Sequence, residues 1–119
     1  LDCVAIATHA NVGKHETRRL REIVEIINVD RDGTALINTP FTWDPNGDIF
    51  YYKKQSKVFE KISMRQGISL ERLQQEFITR AKLIYELYKK RVFGFEEIQR
   101  VINDYYKNPI EVLNRFGIE

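Results

Sequence analysis

The chain has 119 residues and a formal net charge of +2, from 19 Lys and Arg against 17 Asp and Glu. Hydrophobic residues make up 43% of it, a globular composition that excludes collagen-like, low-complexity and wholly disordered classes. The charge is too small for a dedicated nucleic-acid arm, and no apolar run reaches the roughly 18 residues of a membrane span. Because the sequence starts at Leu1 without a Met, we expect it to be a piece of a longer polypeptide. Its single cysteine, Cys3, excludes an internal disulfide.

Residues 1–54 are predicted to form a small sheet, because their short segments are rich in Val, Ile and Thr and are separated by turn residues. The segment 1–8 predicts a buried strand, because Val4 and Ile6 lie among small residues. A polar loop through residues 11–15 follows. The segment 17–29 has apolar residues at helical spacing but is rich in β-branched residues, and Asp-Gly after it favours a tight turn. We therefore interpret the segment 17–29 and the run 34–38 as a β-hairpin.

A second turn follows the hairpin. Asp44-Pro45 and Asn46-Gly47 in succession are typical of a turn, and residues 49–52 resume as another strand. Trp43 and Phe41 precede the turn, and we expect these aromatic side chains to hold it to the core.

Residues 55–119 are predicted to form a helical bundle packed on the sheet, so the fold class is α+β. Ser56 caps the first helix and Gly67 ends it. The second helix begins after Ser69 and ends near Arg91, and the third follows Gly94. A last short helix runs from Pro109 to Phe116. The predicted apolar stripe of the second helix consists of Leu70, Leu73, Phe77, Ile84, Leu87 and Tyr88.

The sequence contains no G-x-x-x-x-G-K-[ST], G-x-G-x-x-G, H-E-x-x-H or G-x-S-x-G motif, so we assign no catalytic residue and no cofactor to this chain alone. Cys3, His9 and His15 are candidate zinc ligands, with Asp2 or Glu16 as a fourth. Their spacing is loose, and we favour the alternative of a small buried Cys and two loop histidines.

Arg18, Arg19 and Arg21 open the hairpin. Their guanidiniums could bind phosphate oxygens or carboxylates of a neighbouring subunit. In a strand, Arg19 and Arg21 would project from one face and Arg18 from the other. The alternative is a solvated basic patch balanced by Glu16, Glu22 and Glu25, which is the commoner arrangement.

Three runs place tyrosines beside cations, and they lie at residues 51–54, 88–91 and 105–107. Stacking tyrosines beside lysines bind single-stranded nucleic acid in other proteins. Two of the runs end helices, however, where cations are favoured anyway. We favour core tyrosines, Tyr88 and Tyr105 among them, with cations at helix ends, and expect no nucleic-acid partner.

One stretch of the sequence resembles a known family. Its elements are R-R-x-R-x-x-x-E-I at residues 18–26, Asn38, F-x-W-D-P at residues 41–45, and Asp48. The stretch resembles the C-terminal end of archaeal secretion ATPases of the type II/type IV superfamily, which includes the archaellum and pilus assembly motors. The pattern around Gly67, Arg80 and Pro109 is similar to the family's tail.

The resemblance implies that residues 1–54 complete the sheet of a RecA-like nucleotide-binding core, and that residues 55–119 add the helices. It implies a parent ATPase that uses ATP and Mg²⁺, works as a homo-hexamer, and lies at the cytoplasmic face of a membrane against a polytopic platform protein. The Walker motifs would lie upstream, so this chain alone should be inactive. Arg18, Arg19 and Arg21 match the family's arginine-rich strand, where they would face the nucleotide or a neighbouring protomer. The function implied is protomer contact or platform docking. The alternative is a single-stranded nucleic-acid-binding module.

Overall fold

The structure, a computed structural model, describes residues 2–53 and 55–119. Leu1, which belongs to the first predicted strand, and Lys54, which belongs to the first tyrosine-lysine run, lie outside the described residues. The chain divides into two compact units, residues 1–70 and 71–119, which are called the sheet unit and the helical unit below.

The sheet unit has four antiparallel strands in the order β1-β2-β3-β4, followed by one helix. With three further helices in the second unit, this confirms the predicted α+β class. The elements are β1 (Cys3–Val12), β2 (His15–Val29), β3 (Ala35–Asp44), β4 (Ile49–Tyr52), α1 (Lys57–Gln66), α2 (Leu70–Lys89), α3 (Phe95–Lys107) and α4 (Pro109–Arg115).

The hairpin of β1 and β2 is longer than the sequence indicated. Val12 pairs with His15, so only Gly13 and Lys14 connect the strands, and the predicted loop over residues 11–15 is wrong. Gly13 has φ +63°, the left-handed backbone that such two-residue turns require. The prediction that β1 is buried is also wrong, because most of its side chains are exposed.

The ambiguous segment 17–29 is a strand, as β-branching favoured, and lies within β2. The turn that follows it is held by Asp32, whose Oδ1 accepts a hydrogen bond from the Thr34 N–H at 3.1 Å. Gly33 has φ +88° there, which confirms the tight turn predicted from Asp-Gly.

A bulge places a proline inside the central strand β3. Ile23 pairs with Phe41 and Glu25 with Asn38, so two residues of β3, Thr39 and Pro40, lie opposite one residue of β2. Proline has no N–H for the ladder, and an irregular register is where a sheet tolerates it. Pro40 is fully buried, and its carbonyl accepts a hydrogen bond from the Lys53 N–H at 2.8 Å.

Helix α1 belongs to the sheet unit and lies near β2. It begins as predicted, because the Ser56 hydroxyl accepts a hydrogen bond from the Phe59 N–H at 3.3 Å. It ends at Gly67, whose φ of +66° is the left-handed cap that the sequence predicted.

The helical unit has a small apolar core. Asn108 caps α4 by accepting a hydrogen bond from the Glu111 N–H at 3.2 Å, and Pro109 is its first residue. The predicted stripe of α2 is partly wrong, because Ile84 and Tyr88 are 66% and 65% exposed. The buried side chains of the core are Leu83, Leu87, Val101, Tyr105, Val112 and Ile118.

Candidate functional site

Arg19, one of the three candidate arginines, is held by an internal ion pair. Its Nε donates to Asp48 Oδ1 at 2.8 Å and its Nη2 donates to Asp48 Oδ2 at 3.0 Å. Its Nη1 donates to Thr17 Oγ1 at 2.8 Å and to the Arg18 carbonyl at 3.0 Å. Two parallel bonds from guanidinium to carboxylate form the strongest common ion-pair geometry. Arg19 therefore connects β2 to the turn before β4.

Asp48 receives a third hydrogen bond, from Trp43. The indole Nε1 donates to Asp48 Oδ1 at 2.7 Å, and the Trp43 side chain is buried. The hydrogen bonds from Arg19 and then from Trp43 lower the pKa of Asp48 from 3.8 to about 2. Asp48 also has φ +49°, a left-handed conformation that Asp tolerates better than most residues. We call Arg19, Trp43 and Asp48 the turn cluster.

Glu25 is the centre of a second polar cluster, at the start of α1. It is only 4% exposed, and Asn38 Nδ2 donates to its Oε1 at 2.8 Å. The Ser56 hydroxyl donates to Oε2, and the Lys57 N–H donates to Oε1 at 2.7 Å. We call Glu25, Asn38 and Ser56 the cap cluster. A carboxylate at this place satisfies the free N–H groups of the first helical turn and complements the helix dipole.

The pKa of Glu25 is lowered from its ordinary value of 4.5. Burial raises it, but the hydrogen bonds from Ser56, Asn38 and the first backbone N–H groups of α1 outweigh burial. An ionised carboxylate that already accepts several hydrogen bonds is a poor general base. The turn cluster thus connects β2 and β3 to the turn before β4, and the cap cluster connects β2 and β3 to the start of α1.

The other two arginines have separate environments. Arg18 is exposed and pairs across the hairpin with His9. Arg21 is exposed at a bulge, since Glu22 pairs with Ile6 and Leu20 pairs with Ala7. The structure therefore does not bring Arg18, Arg19 and Arg21 to one common contact. Their predicted approach to a nucleotide or a protomer stays a prediction.

The candidate zinc ligands are spread along the hairpin. Cys3 pairs with Glu25 and His9 with Arg18, six residues further along β1, which is about 20 Å of extended strand. Across residues 2–53 and 55–119, no three His, Cys, Asp or Glu side chains come close enough to hold a metal ion. Cys3 is exposed, so the prediction of a small buried cysteine is wrong.

The tyrosine-cation runs are more exposed than the sequence indicated. Tyr105 is buried as predicted, but Tyr88 is 65% exposed, so its assignment to the core is wrong. Tyr51 and Tyr52 are also exposed, and Lys53 Nζ lies 5.9 Å from the centre of the Tyr51 ring. At that distance the ammonium group is attracted by the quadrupole of the ring and keeps its charge.

The sheet unit carries an apolar depression of about 270 Å³ that sequence reasoning missed. Ile23 pairs with Phe41, and Phe41 pairs with Tyr52, so these three side chains share one face. The rings of Phe41 and Tyr52 lie 4.9 Å apart. Strand alternation alone would predict which residues of β3 share this face. The bulge at Pro40 shifts the register, so the sequence pattern does not show that Ile23 and Phe41 lie side by side. The depression is lined by Leu20, Glu22, Ile23, Phe41, Thr42, Phe50, Tyr51 and Tyr52.

A second depression, of about 210 Å³, lies between α2 and α3 of the helical unit. Glu76 Oε1 accepts hydrogen bonds from the Tyr105 hydroxyl at 2.7 Å and from Arg80 Nε at 2.8 Å. The Arg80 guanidinium carbon lies 5.5 Å from the centre of the Tyr106 ring. The hydrogen bonds from Tyr105 and then from Arg80 lower the pKa of Glu76. The spacing of four residues between Glu76 and Arg80 could have predicted their ion pair on one helix. Nothing in the sequence indicates that Tyr105 and Tyr106 of α3 join it.

No protein-family model matches the chain. The chain is similar to an uncharacterized protein of Methanocaldococcus jannaschii, with 29% identity over 89 residues. The match covers 74% of this chain and 33% of that protein, so the chain spans about a third of the length of the curated relative it matches. Among the described residues, no helix combines the length and apolar character needed to cross a membrane.

Proposed function

We propose that this chain is a non-catalytic C-terminal part of a hexameric secretion or pilus-assembly ATPase, and that its sheet unit makes protomer contacts. One observation carries the proposal: five residues that define the resemblance are joined by hydrogen bonds. Arg19, Trp43 and Asp48 form the turn cluster, and Glu25 bonds to Asn38. The residues that carry the resemblance thus belong to two hydrogen-bonded clusters of the sheet unit, and this supports the proposal.

The apolar depression of the sheet unit supplies the proposed contact surface. Phe50 and Tyr52 are 58% and 56% exposed beside it, and Leu20 is 42% exposed. Exposed apolar side chains grouped around a depression are typical of protein interaction sites. In the parent protein, ATP and Mg²⁺ would bind outside this chain, and the hexamer would work at the cytoplasmic face of a membrane on a polytopic platform.

The first test is the coding sequence upstream of Leu1. The proposal requires a phosphate-binding loop there, within a typical domain length of about 200 residues. An upstream sequence without such a loop would remove the ATPase proposal, whatever the chain binds.

The second test is made on the full-length protein. Phe50→Glu places a charge at the depression, and Leu36→Glu is the matched control, because Leu36 is 61% exposed on β3 and does not line the depression. We expect Phe50→Glu to break the hexamer in light scattering and to reduce ATP turnover roughly tenfold, since a buried charge is expensive at an interface. Leu36→Glu should leave both unchanged. A Phe50→Glu protein that remains a fully active hexamer contradicts the protomer contact.

A second candidate function, binding of single-stranded nucleic acid, is favoured by the exposed aromatic side chains of the helical unit. Tyr85 and Tyr88 have ring centres 6.4 Å apart, and Lys89 Nζ lies 5.1 Å from the Tyr85 ring centre. Exposed rings beside cations are the elements of such sites. Titration with an oligonucleotide at low salt tests it: binding should weaken steeply with added salt and on Tyr88→Ala, and an oligonucleotide that does not bind removes the candidate.

A further inference from the structure

The hairpin of β1 and β2 carries an open depression that contains no residue of the turn cluster or the cap cluster. Its volume is about 540 Å³, and Ala7, Thr8, His9 and Arg18 line it. His9 and Arg18 are directly opposite each other in the antiparallel register, so their side chains share one face. None of the four lining residues is acidic. The small side chain of Ala7 leaves room for a ligand beside the His9 and Arg18 side chains.

Arg18 differs from its neighbour Arg19 in having an uncommitted guanidinium. Arg19 makes two bonds to Asp48 and a third to Thr17. Within residues 2–53 and 55–119, the Arg18 side chain makes no hydrogen bond or ion pair. The bond that Arg18 receives from Arg19 is accepted by its backbone carbonyl. An exposed guanidinium carries five donors in a planar fork that matches an oxyanion.

Glu16, the acidic residue of β2 nearest to Arg18 on the same face, does not neutralise this site. Glu16 pairs with Asn11, which places it two positions from Arg18 along β2, about 7 Å away on the same face. No ion pair joins Glu16 to Arg18 among the described residues. The Thr8 hydroxyl donates to the His9 carbonyl at 3.2 Å, and among the described residues the His9 ring makes no hydrogen bond or ion pair.

We propose that His9 and Arg18 form a binding site for a phosphate-class oxyanion. The Arg18 fork binds two oxygens, and the His9 ring N–H donates to a third, which a tetrahedral phosphate provides and a carboxylate does not. The site is independent of the proposed ATPase membership, because both residues lie in this chain.

The probe is inorganic pyrophosphate, titrated at one fixed pH into the 119-residue chain and followed by the amide resonances of the hairpin. We expect saturable shifts confined to residues 7–9 and 18. Arg18→Gln should weaken binding about tenfold, as expected for losing one charge-assisted bidentate contact. Arg21→Gln is the matched control, because Arg21 is also an exposed arginine of β2 and does not line the depression, and it should change the affinity less than twofold.

A second variant, His9→Phe, removes the third donor and should weaken binding about threefold while the amide spectrum stays dispersed. Competition then separates the sources of the oxyanion: displacement by ATP indicates a nucleotide, and displacement by phosphatidylglycerol vesicles indicates a lipid headgroup. The proposal is overturned if pyrophosphate gives no saturable shift. It is equally overturned if Arg18→Gln and Arg21→Gln weaken binding to the same extent, because the attraction would then be diffuse.

Discussion

The two units of this chain are stabilised by different kinds of interaction. Among the described residues of the sheet unit, the buried side chains are Glu25, Asn38, Pro40, Trp43 and Ser56, of which three are polar. The buried core of the helical unit is apolar apart from the hydroxyl of Tyr105. Directional hydrogen bonds in a polar interior fix which strands and turns are joined, whereas the stability of an apolar core depends on how well its side chains fill the available volume. The sheet unit should therefore respond to the loss of single hydrogen-bonding groups, and the helical unit to the loss of side-chain volume.

The largest effect is expected from Glu25→Ala. It removes the acceptor of the Ser56 hydroxyl and of the Lys57 N–H, and one of the two acceptors of Asn38 Nδ2. Several unsatisfied donors in a buried place should lower the free energy of unfolding of the sheet unit by about 4 kcal/mol. Urea unfolding followed by the fluorescence of Trp43, the only tryptophan, measures it. Glu16→Ala, at an exposed position of β2, is the control and should cost under about 0.5 kcal/mol. A similar small loss for both variants would mean that the cap cluster does not stabilise the sheet unit.

A smaller effect is expected from Leu87→Ala in the helical unit. Leu87 is 5% exposed, so truncation leaves a cavity and should cost about 3 kcal/mol. The neighbouring apolar residue Ile84 is 66% exposed, and Ile84→Ala should cost under about 0.5 kcal/mol. Thermal unfolding followed by the amide resonances of α3 and α4 distinguishes the two variants. Equal losses would show that the apolar core has been placed wrongly.

The smallest effect is expected in the turn cluster, which is partly open to solvent. Arg19→Lys removes the bidentate geometry, and Asp48→Asn removes the charge, so each should lower the melting temperature by a few degrees. Because the two residues act on each other, the double variant should lose little more than the worse single variant. Arg21→Lys is the control and should leave the melting temperature unchanged. Additive losses in the double variant would show that the two residues act independently.

Much of this fold could be predicted from local sequence. The turns at residues 30–33 and 45–48 and the ends of α1 follow from residues with special backbone or capping preferences, such as Gly33, Ser56 and Gly67. A strand over residues 17–29 could also be predicted, because the β-branched residues there favour a strand over the helix that the apolar spacing suggests.

The errors arise where one element depends on another. Helical spacing placed Ile84 and Tyr88 in the core, but the side of α2 that is buried depends on where α3 and α4 pack. The partners of Glu25 lie 13 and 31 residues away, at Asn38 and Ser56, and no local pattern shows that a helix N-terminus will meet this carboxylate. In the same way, strand alternation places the adjacent Arg18 and Arg19 on opposite faces, but no local pattern shows that Asp48 will bind Arg19.

The measurement that tests the difference between the two units most directly is an acid titration followed residue by residue in amide spectra. Asp48 has a pKa of about 2 against an ordinary 3.8, and the pKa of Glu25 lies below 4.5. Both carboxylates are thus held ionised by the folded state, so their stabilisation is present above about pH 4.5 and is lost as the pH falls toward 2. The pKa of Glu76 is lowered too, but the core of the helical unit is apolar. We therefore expect the resonances of residues 2–53 to lose their native positions at a higher pH than those of residues 71–119. Simultaneous loss in both units, or earlier loss in the helical unit, would contradict the account.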